Sequence, residues 1–129
     1  MLRIVRPILT SALLTLGLSA APSLLAAEDA ESRALVVKQC SQCHTFDQGE
    51  KHGQGPNLYG LLGREAAAAP GFVYSEGIKE ALKGKVWDAE LLDRWLSDTV
   101  AVAPKAQMVY FQDDPEVRAT LIRFFKSQR

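Results

Sequence analysis

Cys40-Ser41-Gln42-Cys43-His44 holds the only two cysteines of the 129-residue chain, with a histidine directly after the second. Two thiols three positions apart, followed at once by an imidazole, form the C-x-x-C-H pattern to which a c-type haem is attached. The spacing has a chemical reason. Each thiol adds across one of the two vinyl groups of a single porphyrin, giving two thioether bonds. The next side chain then sits beneath the iron with its imidazole as the proximal ligand.

A C-x-x-C pair also occurs as a redox dithiol, as half of a zinc site or as a structural disulfide. Zinc needs two further Cys or His ligands, and outside the motif only His52 remains. A thioredoxin-like dithiol needs a βαβ pattern, and no run of residues here reads as a convincing strand. A lone disulfide gives no reason for the adjoining histidine. Haem attachment is the reading that uses all three side chains.

Upstream, residues 1–27 have the form of a secretory signal. Arg3 and Arg6 supply a positive start, an uncharged stretch runs from Pro7 to Ala27, and charge returns abruptly at Glu28 and Asp29. Cleavage is expected after Ala26 or Ala27. The stretch is about long enough to span a bilayer, but it carries several hydroxyl residues, Gly17 and Pro22, and no spacer precedes the following fold. Removal is therefore favoured over an uncleaved anchor. Residues 28–129 remain as one domain of 102 residues, with 13 basic against 15 acidic side chains. A net charge of −2 excludes the basic character of a nucleic-acid binder. Export places the thiols where haem is attached outside the inner membrane, so the expected location is the periplasm.

The pattern of the remaining chain is helical, with long loops. A first helix is expected from about Asp29 to Gln42, and Gly49–Pro56 reads as a polar glycine-rich loop. Ser75 is placed to cap a short helix through Lys83, stopped by Gly84. Asp88 caps a helix carrying Leu91, Leu92, Trp95 and Leu96, with Trp87 stapling onto Leu92. Asp114-Pro115-Glu116 opens the last helix, whose Val117, Leu121, Phe124 and Phe125 share one face. Thr99 to Gln112 reads as irregular. Four to five helices with loops this long need an organiser, and one covalently bound haem would serve. Met108, the only methionine besides Met1, lies on a loop after Pro104, so its soft thioether suits an axial ligand better than a helical core stripe would.

In order along the chain stand Cys40 to Thr45, Gly55-Pro56-Asn57-Leu58-Tyr59-Gly60-Leu61-Leu62-Gly63-Arg64, Ala69-Pro70-Gly71-Phe72-Val73-Tyr74-Ser75, Trp87 and Pro104-Lys105-Ala106-Gln107-Met108. This series resembles the class I cytochromes c of mitochondria and bacteria over nearly the whole domain. The resemblance implies the all-α cytochrome c fold around one haem c, with Cys40 and Cys43 as attachment points and His44 and Met108 as iron ligands. It implies that the Pro56 carbonyl accepts from His44, and that Arg64, Tyr74 and Trp87 serve the haem propionates. Leu58, Leu96, Leu121 and Phe124 would pack against the macrocycle or the crossing helices. His52, in its polar loop, is expected to be solvated.

Three departures from the family pattern stand out. Ser32 and Val36 replace a glycine and an aromatic at the crossing of the terminal helices, so that crossing is expected to be looser or differently packed. Trp95 replaces the tyrosine that approaches the methionine sulfur. The lysine ring is thin, with Gln39 before the motif and Gln112-Asp113-Asp114 after the methionine loop. The implied function is a non-enzymatic one-electron carrier, a monomer passing electrons from a dehydrogenase or reductase to an oxidase. The alternatives are a peroxidase or small-ligand binder with a labile Met108, and a dedicated subunit of one dehydrogenase or oxidase.

Overall fold

The computed structural model describes residues 24–128, so the expected signal lies almost entirely outside the described residues. Five helices follow in order: α1 Leu24–Cys40, α2 Glu76–Ala81, α3 Ala89–Ser97, α4 Thr99–Val102 and α5 Pro115–Ser127. Among the described residues, extended pairing is limited to two isolated antiparallel bridges, Glu65 with Val86 and Asp98 with Phe111. The all-α expectation is met.

Helix α5 starts as its sequence dictates. Asp114 Oδ1 accepts from the amides of Glu116 (2.8 Å) and Val117 (3.4 Å), and Pro115 occupies the first helical position, where no N–H is needed. Asp88 caps α3 through Leu91 N at 2.7 Å. Its buried residues Leu91, Leu92, Trp95 and Leu96 recur at helical spacing, and Trp95 meets Trp87 edge-on with ring centroids 5.7 Å apart. Ser75 stands at the expected N-cap position of α2 with an extended backbone, but its side chain makes no capping bond.

Helix α1 packs against α5. Ser32 and Val36 are its two buried residues, both with no exposure, against the buried Leu121, Ile122, Phe124 and Phe125 of α5. The crossing is therefore differently packed, and it is closed. Ser32 tolerates full burial because its hydroxyl donates to the Asp29 carbonyl one turn earlier, at 2.9 Å. Helix α1 begins upstream of the expected Asp29, at Leu24, and ends two residues before the expected Gln42.

The stretch after α3 is more ordered than its sequence suggests. Asp98 ends α3 and caps α4, accepting from Val100 N (2.9 Å) and Ala101 N (3.1 Å). Arg118 of α5 then ties the next turn down. Its guanidinium pairs with Asp93 at 2.8 Å and donates to the carbonyls of Gln112 (2.9 Å) and Asp113 (3.0 Å). No helix among the described residues is long and apolar enough to cross a membrane.

Candidate functional site

Helix α1 ends at Cys40, and the chain turns at once: the amides of Cys43 and His44 both donate to the Cys40 carbonyl, at 3.1 and 3.0 Å. That turn brings Cys40, Cys43 and His44 to the wall of one cavity of about 590 Å³, which Met108 also lines. Leu58, Leu61, Leu82, Trp95, Leu96 and Leu121 give it an apolar body. A second groove of about 460 Å³, between α1 and α5, contains none of the motif residues.

The imidazole of His44 is fixed from behind. Its Nδ1 lies 2.8 Å from the Pro56 carbonyl oxygen, which only accepts, so Nδ1 carries the proton and Nε2 keeps its lone pair. Burial pushes the His44 pKa down, against a smaller upward pull from that carbonyl, which keeps the ring neutral and fit to ligate. The loop from Gly53 to Gly55 hugs the motif, with Gly55 N donating to the Cys43 carbonyl at 2.7 Å. Burial, and secondarily the neighbouring Cys43, pushes the Cys40 thiol up to about 11. As a free side chain it is a neutral thiol at pH 7.

Thr99, unmarked in the sequence, holds the methionine loop. It has no exposure, and its hydroxyl lies 3.0 Å from the Met108 carbonyl and 3.2 Å from that of Tyr110 while accepting from Tyr110 N at 2.9 Å. Nearby, the Tyr110 hydroxyl donates to Gln39 Oε1, joining this loop to α1 just before the cysteines. On the far side of the loop a Cβ on Gly77 would fall 2.5 Å from the Lys105 carbonyl oxygen, so only glycine lets α2 approach so closely. Thr99→Val keeps the shape and deletes the hydroxyl, leaving Tyr110 N without its side-chain acceptor. A cost of about 2–3 kcal/mol is expected, read as a lowered urea midpoint, with faster carbon monoxide binding by the reduced protein. An unchanged midpoint and rate would show that Thr99 does not hold the loop.

One stretch of cavity wall carries unmatched polar groups. Arg64, half-buried, donates to the carbonyls of Asn57 (3.2 Å) and Tyr59 (3.4 Å) and forms no ion pair among the described residues. Backbone pairing of Arg64 with Trp87 (2.9 Å) and of Gly63 with Trp87 (2.8 Å) fixes these side chains beside each other. The Tyr74 hydroxyl accepts from Ala69 N at 3.3 Å, which leaves its own proton for another acceptor. Ser75 Oγ is buried on the same cavity with no protein partner. A cation without a counter-charge and a buried hydroxyl without a partner are costly unless a ligand supplies acceptors.

The Tyr74 phenol is pushed up by burial, with smaller downward pulls from the Ala69 amide and Arg64. Its folded pKa thus exceeds the unfolded value near 10. The native state keeps this proton where the unfolded chain has lost it, so the contribution is intact below about pH 10 and is lost as pH rises through the folded value. Tyr74→Phe should flatten the fall in urea midpoint as pH rises above about 10, and leave it unchanged below that. Equal slopes for the two proteins would overturn this assignment.

His52 is partly exposed, yet both of its ring nitrogens are engaged by the chain. Its Nδ1 accepts from Asn57 N (2.9 Å), so Nε2 carries the proton and donates to the Pro70 carbonyl (2.9 Å), while Phe72 meets the ring edge-on at 5.3 Å. The ring bridges two loops whose contact is eighteen residues long-range and invisible locally. Leu58, Leu96 and Leu121 line the cavity as expected. Phe124 takes the other expected place, at the crossing of α1 and α5, where Arg33 lies 6.0 Å over its ring and Phe46 meets it edge-on at 6.0 Å, while Phe125 takes a place on the cavity wall.

Two tetherable thiols, a neutral imidazole, a thioether and an apolar cavity with unmatched donors suit a porphyrin whose body is apolar and whose propionates are anionic. No family model matches the chain. It is 37% identical to cytochrome c-550 of Novispirillum itersonii over 105 residues, covering 74% of this chain and 95% of that protein. It is 36% identical to cytochrome c2 of Rhodomicrobium vannielii, covering 82% and 84% respectively. The structure of cytochrome c2 from Rhodospirillum centenum superposes with a TM-score of 0.71 at 28% identity, over 78% of this chain and 97% of that one. Fold and site thus define a c-type haem protein of the small electron-carrier kind. The chain belongs to the class I cytochrome c family, and its cofactor is covalently bound haem c, for which Cys40 and Cys43 fit the C-x-x-C-H motif.

Proposed function

We propose that this protein is a periplasmic one-electron carrier whose haem c is held by thioether bonds from Cys40 and Cys43 and ligated by His44 and Met108. The haem supplies the reversible ferric/ferrous couple. The protein's residues do the rest: they orient the ligands, exclude water and compensate charge. The observation that supports this reading is that His44 and Met108 both line one largely apolar cavity, each fixed by a bond involving a backbone carbonyl. The Pro56 carbonyl fixes the imidazole, and Thr99 fixes the methionine loop.

With His44 and Met108 both holding the iron, the chain would leave no open site for a substrate, which would favour a carrier over a peroxidase. Arg64, Tyr74, Ser75 and Trp87 would receive the propionates, Arg64 gaining the counter-charge it lacks. Residues 1–27 would act as the export signal, removed after Ala26 or Ala27, leaving residues 28–129 as the carrier. Its partners would be a donor dehydrogenase or reductase and an acceptor oxidase, met in short-lived contacts of small area.

The test is spectroscopic and uses purified holoprotein. The ferric form should show a methionine-to-iron charge-transfer band at the red edge of the visible spectrum. The ferrous form at neutral pH should resist carbon monoxide. Absence of the band with rapid carbon monoxide binding would replace this reading with a ligand-binding haem protein.

A further inference from the structure

The chain between α4 and α5, residues 103–114, carries Met108 and has no helix of its own. Bonds to residues outside it hold it in place. Thr99 grips its middle through the Met108 carbonyl and both backbone groups of Tyr110. Gln112 N donates to the Ser97 carbonyl at 3.3 Å, and Arg118 holds the end through the carbonyls of Gln112 and Asp113. All of these anchors stand on α3, α4 or α5.

One bond goes the other way. The Tyr110 hydroxyl donates to Gln39 Oε1, 71 positions away in sequence. Gln39 lies in the last turn of α1, next to Cys40. Among the described residues no other hydrogen bond joins the methionine loop to that turn. Gln112 also bonds this hydroxyl through its side chain, but it belongs to the loop and cannot tie the loop to α1. Tyr110 and Gln39 are both half-buried, so water competes less for either group. The Tyr110 ring packs against the core, as a phenylalanine ring would. What the hydroxyl adds is the link across to α1.

That link closes a circuit. Gln39 directly precedes the first attachment cysteine, and Tyr110 follows Met108 by two residues. Fixing one to the other removes freedom from the chain on which the thioether would swing away from the iron. Resting on the His44 and Met108 ligation proposed above, we infer that Tyr110 and Gln39 are a positioning pair for Met108, a clasp that keeps its sulfur at the iron. The share of protein with Met108 detached sets how readily an outside ligand enters. Loss of one neutral hydrogen bond raises that share roughly three- to tenfold.

The probe is carbon monoxide, mixed with the reduced holoprotein at neutral pH. Tyr110→Phe keeps the ring and deletes the donor, while Gln39→Leu keeps most of the side-chain length and deletes the acceptor. Each should speed the slow binding of the wild type roughly three- to tenfold. The double variant should be no faster than the faster single one, because either change alone opens the clasp. Gln39→Glu offers a carboxylate oxygen to the same hydroxyl and should stay within about twofold of the wild-type rate. A general loss of stability would show neither that shared ceiling nor that rescue. An unchanged Soret spectrum checks that each variant carries its haem.

Single variants as slow as the wild type, effects that multiply in the double variant, or a Gln39→Glu protein as fast as Gln39→Leu would each overturn the inference. The ligation reading is checked on the wild type alone. If its methionine-to-iron charge-transfer band is absent, both readings fall; with the band present, failure belongs to the clasp only.

Discussion

Gly55→Ala is expected to lower the stability of the holoprotein by about 3 kcal/mol or more, the upper range for forcing an atom into a packed site. A Cβ built on Gly55 would lie 2.6 Å from Nδ1 and 2.8 Å from Nε2 of the His44 ring. Neither atom belongs to a flexible chain end. The ring is pinned by the Pro56 carbonyl, and the Gly55 amide is itself bound to the Cys43 carbonyl, so either the ligand or the loop must move. For a domain of about 100 residues, each kcal/mol shifts Tm by roughly 4–8 °C, so a fall of at least about 12 °C should be seen by calorimetry. Gly60→Ala is the comparison. Gly60 has φ +62° with nothing near its Cβ position, so it carries backbone strain alone, about 1–2 kcal/mol. If the two variants melted together, contact with His44 would not be the reason for glycine at position 55.

Met108→Ala is expected to lower the reduction potential by on the order of 0.2 V, a fraction of the ~0.8 V range that axial ligation spans. The thioether is a soft donor that favours ferrous iron, and losing it favours the ferric form. Redox titration of the two holoproteins measures the shift directly. The same variant should bind carbon monoxide quickly when reduced, while its thioether attachment to Cys40 and Cys43, checked by intact mass, stays in place. A potential within a few tens of millivolts of the wild type would remove Met108 from the coordination shell. Because Met108 is only half-buried, the accompanying loss of stability should be smaller than that of Gly55→Ala.

These two positions illustrate different degrees of legibility. Met108 stood out because it is the only methionine beyond Met1 and follows a proline on a loop. Gly55 was read as part of a polar loop and as the start of a family motif, but not for its contact with the ligand ring, since a glycine's role as an approach surface depends on which ring lies against it. Ser75 is an instructive half-success. It stands at the N-cap position where its place before a short helix put it, but its hydroxyl is buried without a partner instead of bonding the helix. Capping preference is a local statistic, and the wall of the cavity overrode it. At His52, polar neighbours suggested solvent and the ring is partly exposed, but the Pro70 carbonyl and Phe72 had also been brought to it from another loop.

Covalent chemistry and helix starts were written in the chain itself. The spacing of Cys40, Cys43 and His44 is a property of adjacent residues, and so are the caps at Asp88 and Asp114, which accept from amides two or three positions away. The depth of Ser32 against α5, the hydroxyl of Thr99 holding Met108 and the engagement of both His52 nitrogens were decided by the folded chain. Each depends on groups distant in sequence meeting at hydrogen-bond or contact range, and such meetings are set by packing the whole molecule around its cavity.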